Sequence, residues 1–124
     1  MHLPIDQHIT FLRVRDLAAS AAFYEDALGL ALALDQGACR IYRLTDSAFL
    51  GICQRDGAAA ASADGVIVTL VTADVEAWVA RLQAAGVTAD APPAFHPVYR
   101  ITHFFVRDPD GYAVEIQRFE HPFP

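Results

Sequence analysis

The sequence has no basic run, no long apolar run and only two cysteines, and each shortage argues against a class of function. Its arginines stand singly and the net charge is −6 at pH 7. A nucleic-acid surface needs a cationic patch to meet the phosphates, so that class is disfavoured. No apolar stretch approaches the ~18 residues of a membrane span. The opening MHLPIDQHITF has neither the basic start nor the apolar core of a secretory signal. Cys39 and Cys53 form no metal-type pair and no disulfide framework. Each is flanked by strand-like residues, where a free cysteine serves as a small buried apolar group. Together these shortages read as a soluble, cytoplasmic chain. Charged residues make up only 19% against 54% hydrophobic, the reverse of what a disordered chain needs. The 124 residues suffice for one domain with a core of its own.

What is present is a repeat. Residues 9–14 read ITFLRV and residues 66–71 read VIVTLV, two short β-branched and apolar runs that predict strands. Each is followed by an Asp, a helical pattern and a Gly. Asp16 is placed as an N-cap, Leu17, Ala21, Tyr24 and Leu28 recur at helical spacing, and Gly29 stands where a left-handed cap is expected. Asp74 repeats the cap, with Val75, Trp78, Val79 and Leu82 as the apolar stripe and Gly86 as the stop. The cap-to-stop distances are 13 and 12 residues. Trp78 and Tyr24 sit at core spacing and need no function to explain them.

Strands follow each helix. LALAL (30–34), ACRIYRL (38–44) and AFLGICQ (48–54) are separated by the turns DQG and TDS. In the second half VTADA (87–91) leads into a long loop, PPAFHPVY (92–99), and RITHFFV (100–106) meets the turn DPDG before YAVEIQRF (112–119). Proline at the second turn position and glycine at the fourth suit a type I turn. Each half therefore predicts strand, helix, strand, strand, strand. The expected layout is one domain with module one at about 5–54, a small polar linker at about 55–64 and module two at about 65–120.

The segments VRDLAASAAFYEDALGL (14–30), DVEAWVARLQAAGV (74–87) and FFVRDPDGYAVEIQRF (104–119) resemble the vicinal oxygen chelate superfamily. That superfamily includes glyoxalase I, extradiol dioxygenases and bleomycin resistance proteins. The resemblance covers nearly the whole chain and implies an α+β fold of two βαβββ modules, forming a cup-shaped mixed sheet with helices outside. It further implies a small organic molecule as partner, homodimerisation, and in metal-dependent members a divalent metal held by four strand residues. Those four come from the first and last strands of each module. Carried onto this chain, the positions are Ile9, Gly51, Val66 and Glu115, so only Glu115 keeps a ligand type. His8 lies one residue from Ile9, but strand side chains alternate, and a one-residue shift turns the ring to the other face. The expectation is a cup with no tightly bound cofactor, although a divalent metal stays possible with Glu115 and a bulge that recruits His8.

Inward parity taken from those four positions selects Ile9, Phe11, Phe49, Gly51, Cys53, Val66, Val68, Leu70, Ala113, Glu115 and Gln117. Apolar walls with a few polar groups suit a small-molecule site, and the same alternation also suits any filled sheet core. Arg40 and Tyr42 share one strand face and are candidates to reach a ligand or Glu115; a solvent-facing stripe explains them equally well. His96 and Tyr99 belong to the proline-rich loop, which serves either as a lid or stacking surface or as a stiff connection. His103 stands alone in a strand, and a His–carboxylate pair with Glu115 is open. The functional expectation is a small-molecule-binding protein, sequestration of a toxic compound being one version. The alternative is a metal-dependent lyase, isomerase or dioxygenase that uses Glu115 as ligand or catalytic base.

Overall fold

The computed structural model describes residues 2–55 and 63–124. They fall into two compact units, Met1–Ala61 and Ser62–Pro124. Most of the linker expected at 55–64 lies outside the described residues; Ala63–Gly65 forms a short 3₁₀ turn ahead of the second unit.

Each unit holds one four-stranded mixed sheet with one helix packed on one of its faces. The first contains β1 (His8–Val14), helix α1 (Leu17–Ala21, continued by Ala22–Ala27), β2 (Ala31–Asp35), β3 (Cys39–Arg43) and β4 (Ala48–Gln54). The second contains β5 (Ile67–Val71), α2 (Val75–Ala84), β6 (Ala94–His96), β7 (Ile101–Arg107) and β8 (Ala113–Phe119). The strand orders β1-β4-β3-β2 and β5-β8-β7-β6 are the same topology twice, with one parallel pair and two antiparallel pairs in each. The α+β fold of two βαβββ modules expected from the repeat is therefore present.

The caps behave as their chemistry requires. The Asp16 carboxylate accepts from the Ala18 and Ala19 N–H groups, and Asp74 accepts from Ala77, so each satisfies donors left unpaired at a helix start. Gln54, at the end of β4, adds a bond from the Leu17 N–H to its side-chain oxygen at 2.8 Å. Gly29 and Gly86 take positive φ of 71° and 78°, which only glycine adopts without strain. Between Ala22 and Ala27 the first helix widens by one residue per turn, its last bond running from the Leu28 N–H to the Phe23 carbonyl at 2.9 Å.

In each unit the helix-facing side of the sheet is the core. Leu12, Val14, Leu50 and Ile52 are buried beneath α1; Val68, Val106, Val114 and Ile116 are buried in the second unit. Fully burying one such side chain stabilises by roughly 1.5–3 kcal/mol. The DPDG turn closes the second sheet through Asp108, whose carboxylate accepts from the Asp110 and Tyr112 N–H groups at 2.9 and 2.8 Å. Gly111 follows at φ 89°.

Three local expectations are corrected. No strand forms at 87–91; the strand pairing with β7 is Ala94–His96, inside the segment expected as loop. The prolines at 92 and 93 postpone pairing, and the hairpin closes with Arg100 at φ 55° and its N–H on the His96 carbonyl at 2.7 Å. Cys39 and Cys53 are not free: they stand directly opposite on β3 and β4 and form a disulfide. The TDS turn sets the register that brings them together, a pairing that spacing alone does not reveal. Arg40 and Tyr42, proposed to reach a ligand, lie on the helix side of their sheet. Arg40 bonds both Glu25 oxygens at 3.1 Å, and the buried Tyr42 ring stacks on Tyr24 with centroids 6.2 Å apart.

That placement has a measurable consequence. Burial pushes the Tyr42 hydroxyl up to about 12, and the Glu25 carboxylate adds to the shift. The unfolded chain ionises this group near the ordinary 10.0, so the unfolded state loses its proton first and stability falls as pH rises between those values. In a tyrosinate absorbance titration Tyr42 is expected to ionise near pH 12, and Tyr42→Phe should remove one late-ionising group. A titration in which all tyrosines ionise together near 10 would contradict the buried position.

Candidate functional site

The polar chemistry of the second unit gathers on the sheet face opposite α2. In β8 alternation puts Ala113, Glu115, Gln117 and Phe119 on that face, leaving Val114 and Ile116 for the core. In β7 the same alternation presents His103 and Phe105, since His103 pairs with Gln117 and Phe105 with Glu115. Strand β5 contributes Thr69, which is in register with Glu115, and β6 contributes His96.

Glu115 is 8% exposed and both of its oxygens are engaged. The Thr69 hydroxyl donates to Oε1 at 2.7 Å, and His103 Nδ1 meets Oε2 at 2.5 Å. The histidine reaches the carboxylate diagonally across the antiparallel pair, the geometry by which long side chains on neighbouring strands touch. A carboxylate oxygen only accepts, so His103 carries its hydrogen on Nδ1. The ring contacts His96 and Phe105 edge-on, with centroids 6.2 and 5.4 Å apart. His96 in turn stacks on Tyr99 at 4.5 Å, and the Tyr99 N–H donates to His96 Nδ1 at 3.2 Å.

These groups line an open cavity of about 600 Å³ within the second unit. Its walls are aromatic, from Phe105, Phe119 and Tyr99, and its polar groups are Glu115, Gln117, His96 and His103. The structure thus brings Tyr99, His96 and His103 together with Glu115. It does not bring Val66 or Val68: Val66 precedes β5, and Val68 pairs with Val114 on the core side. The parity set for β5 was one residue off because the connection from β5 to α2 is one residue longer than that from β1 to α1. The position matching Ile9 is therefore Ile67, and Thr69 takes the place expected to be inward. Alternation from Glu115 through the β7 register would have found His103 and Phe105.

In the first unit Ile9, Phe11, Phe49, Gly51 and Cys53 do share one face, as their parallel and antiparallel partners require. The face is apolar. The Phe11 ring lies over Gly51 so closely that a Cβ built there would overlap it. Phe49 is buried, with the Arg43 guanidinium 4.9 Å above its ring. His8 lies on the other face and bonds Thr10 through Nε2 at 2.8 Å.

The four positions that hold a metal in metal-dependent relatives thus carry Ile9, Gly51, Ile67 and Glu115. Three offer no donor atom, and the fourth already has a partner on each oxygen. Among the described residues no group of three or more His, Cys, Asp or Glu side chains is placed to hold a metal ion. These residues do not fit the family metal. Among the described residues no helix is long and apolar enough to cross a membrane.

The model of the Glyoxalase/Bleomycin resistance protein/Dioxygenase superfamily matches residues 7–116. No curated protein matches the sequence. Among solved structures, the chain is similar to a glyoxalase/bleomycin resistance protein/dioxygenase from Nocardioides, at 20% identity and a TM-score of 0.76, over 100% of this chain and 89% of that one. It is also similar to a glyoxalase-related enzyme from Fulvimarina pelagi, at 24% identity and a TM-score of 0.71, over 89% and 85%. A lactoylglutathione lyase from Agrobacterium tumefaciens matches at 22% identity and a TM-score of 0.72, over 94% and 95%. At such identities the structures speak for the fold, and one fold hosts many activities. With the family model spanning most of its length and the repeated topology present in both units, the chain belongs to the glyoxalase/bleomycin resistance/dioxygenase superfamily.

Proposed function

We propose that the chain binds a small organic molecule in the cavity of its second unit, without a resident metal. The observation that carries this reading is the double engagement of Glu115 by Thr69 and His103 at the edge of an aromatic-walled cavity. A carboxylate at the family ligand position has become the anchor of a hydrogen-bonded group, and apolar walls with few polar groups are what small-molecule sites use. Untagged protein offered Zn, Ni, Mn, Fe, Co and Cu should retain none in stoichiometric amount by elemental analysis. A calorimetric screen of planar aromatic compounds should give saturable binding, and Phe119→Ala should weaken it. Stoichiometric metal, or no saturable binding by any compound, would overturn the reading.

A second reading has one observation behind it. The His103–Glu115 pair is a carboxylate-oriented imidazole, an arrangement that suits a general base, and it favours an enzyme of isomerase or lyase type with Glu115 acting through His103. Turnover lost in Glu115→Gln with an unchanged melting temperature would support it.

A homodimer is part of the proposal, and sedimentation at micromolar concentration reports the state. The cytoplasmic location expected from the sequence sits against the Cys39–Cys53 bond, because cytosolic thiols are kept reduced. A non-reducing mass measurement on protein alkylated at lysis decides between them.

A further inference from the structure

The two histidines of the cavity present opposite hydrogen-bonding characters. His103 donates from Nδ1 to Glu115, so the neutral ring keeps a lone pair on Nε2. His96 accepts from the Tyr99 N–H at Nδ1, so its neutral ring carries the hydrogen on Nε2. Neither Nε2 has a hydrogen-bond partner among the described residues. The rings are 6.2 Å apart and both line the same cavity. The two rings therefore offer one acceptor and one donor among the residues that line the cavity, together with aromatic side chains.

We propose that this pair recognises a hydroxyl group on a planar aromatic ring. The hydroxyl donates to His103 Nε2 and its oxygen accepts from His96 Nε2–H, while the ring packs against Phe105 and Phe119. Glu115 and Thr69 are positioning residues. Glu115 fixes which nitrogen of His103 is the acceptor, and Thr69 holds Glu115 in place. An amine would also donate to His103, but a hydroxyl fits better because its oxygen keeps an accepting lone pair for His96. Both partners are fixed by backbone or strand geometry before a ligand arrives, so little ordering is needed on binding.

The inference rests on the cavity reading given above, and the experiment separates the two. 2-Naphthol and 2-methoxynaphthalene have nearly the same shape, and both oxygens can accept from His96. Only the naphthol can donate to His103. Calorimetric titration of the full chain at pH 8 should give binding about tenfold tighter for 2-naphthol, the effect of one hydrogen bond to a partner that is otherwise left unsatisfied. In His103→Asn the amide nitrogen can still meet Glu115, but nothing replaces Nε2. There the two compounds should bind alike, at the strength of the ether in the wild type.

Equal affinities in the wild type would overturn the hydroxyl assignment and leave the cavity as a binding site. A preference that survives His103→Asn would overturn the role given to His103. No binding of either compound would sink both this inference and the cavity reading. If His103→Asn does not fold, the wild-type comparison alone still decides whether a donor is read.

Discussion

Glu115→Ala is expected to destabilise the second unit by about 2–4 kcal/mol and to remove binding in the cavity. Glu115 is 8% exposed, and its carboxylate accepts two hydrogen bonds, from Thr69 at 2.7 Å and from His103 at 2.5 Å. Bonds to a charged group contribute about 1.5–3 kcal/mol each, and water entering the open cavity recovers part of that loss. Alanine also leaves His103 free to rotate and to exchange its tautomer, so the acceptor presented to a ligand is lost. Glu115→Gln keeps the volume and one acceptor oxygen, and should cost less stability while still weakening binding. Urea unfolding measures the first effect and calorimetry the second. An alanine variant as stable as the wild type would mean that the Thr69–Glu115–His103 group does not form.

Loss of the Cys39–Cys53 bond is expected to lower stability by about 3 kcal/mol, because it closes a loop of some 15 residues in the unfolded chain. For a domain of this size that is a fall in melting temperature of about 10 °C. The fold of the first unit should survive, since β3 and β4 keep their ladder and the Leu50 and Ile52 side chains stay buried beneath α1. The Cys39→Ala/Cys53→Ala variant should therefore show a native circular dichroism spectrum, a lower melting point and no further response to reductant. Wild-type protein that melts at one temperature with or without reductant would show that the bond contributes nothing.

The repeated unit was legible because its signals are local. Asp16 and Asp74 cap, Gly29 and Gly86 stop, and the DPDG turn closes, each by chemistry confined to a few residues. The contents of the face opposite the helices were less legible because register is a pairing property. One added residue between β5 and α2 moved the inward set from Val66 and Val68 to Ile67 and Thr69. Arg40 and Tyr42 were misplaced for a related reason: their alternation was plain, but which side faced α1 depended on Glu25 and Tyr24. The disulfide belongs to the same group, being a cross-strand contact set by the TDS turn. Glu115 was found from its distance to the turn, and its partners needed the neighbouring strands.

Gly51 and Phe11 limit which later sequences the chain can reach. A carboxylate at position 51 is what a metal-binding relative would place at the end of its first module, yet any side chain there meets the Phe11 ring. The two positions are therefore coupled. The Phe11 ring must turn aside or become smaller before an acid at 51 can be accommodated. A single-step library at position 51 should yield destabilised variants, whereas the same library in a Phe11→Ala background should not. The ring thus couples positions 11 and 51, so that a side chain added at one is felt at the other.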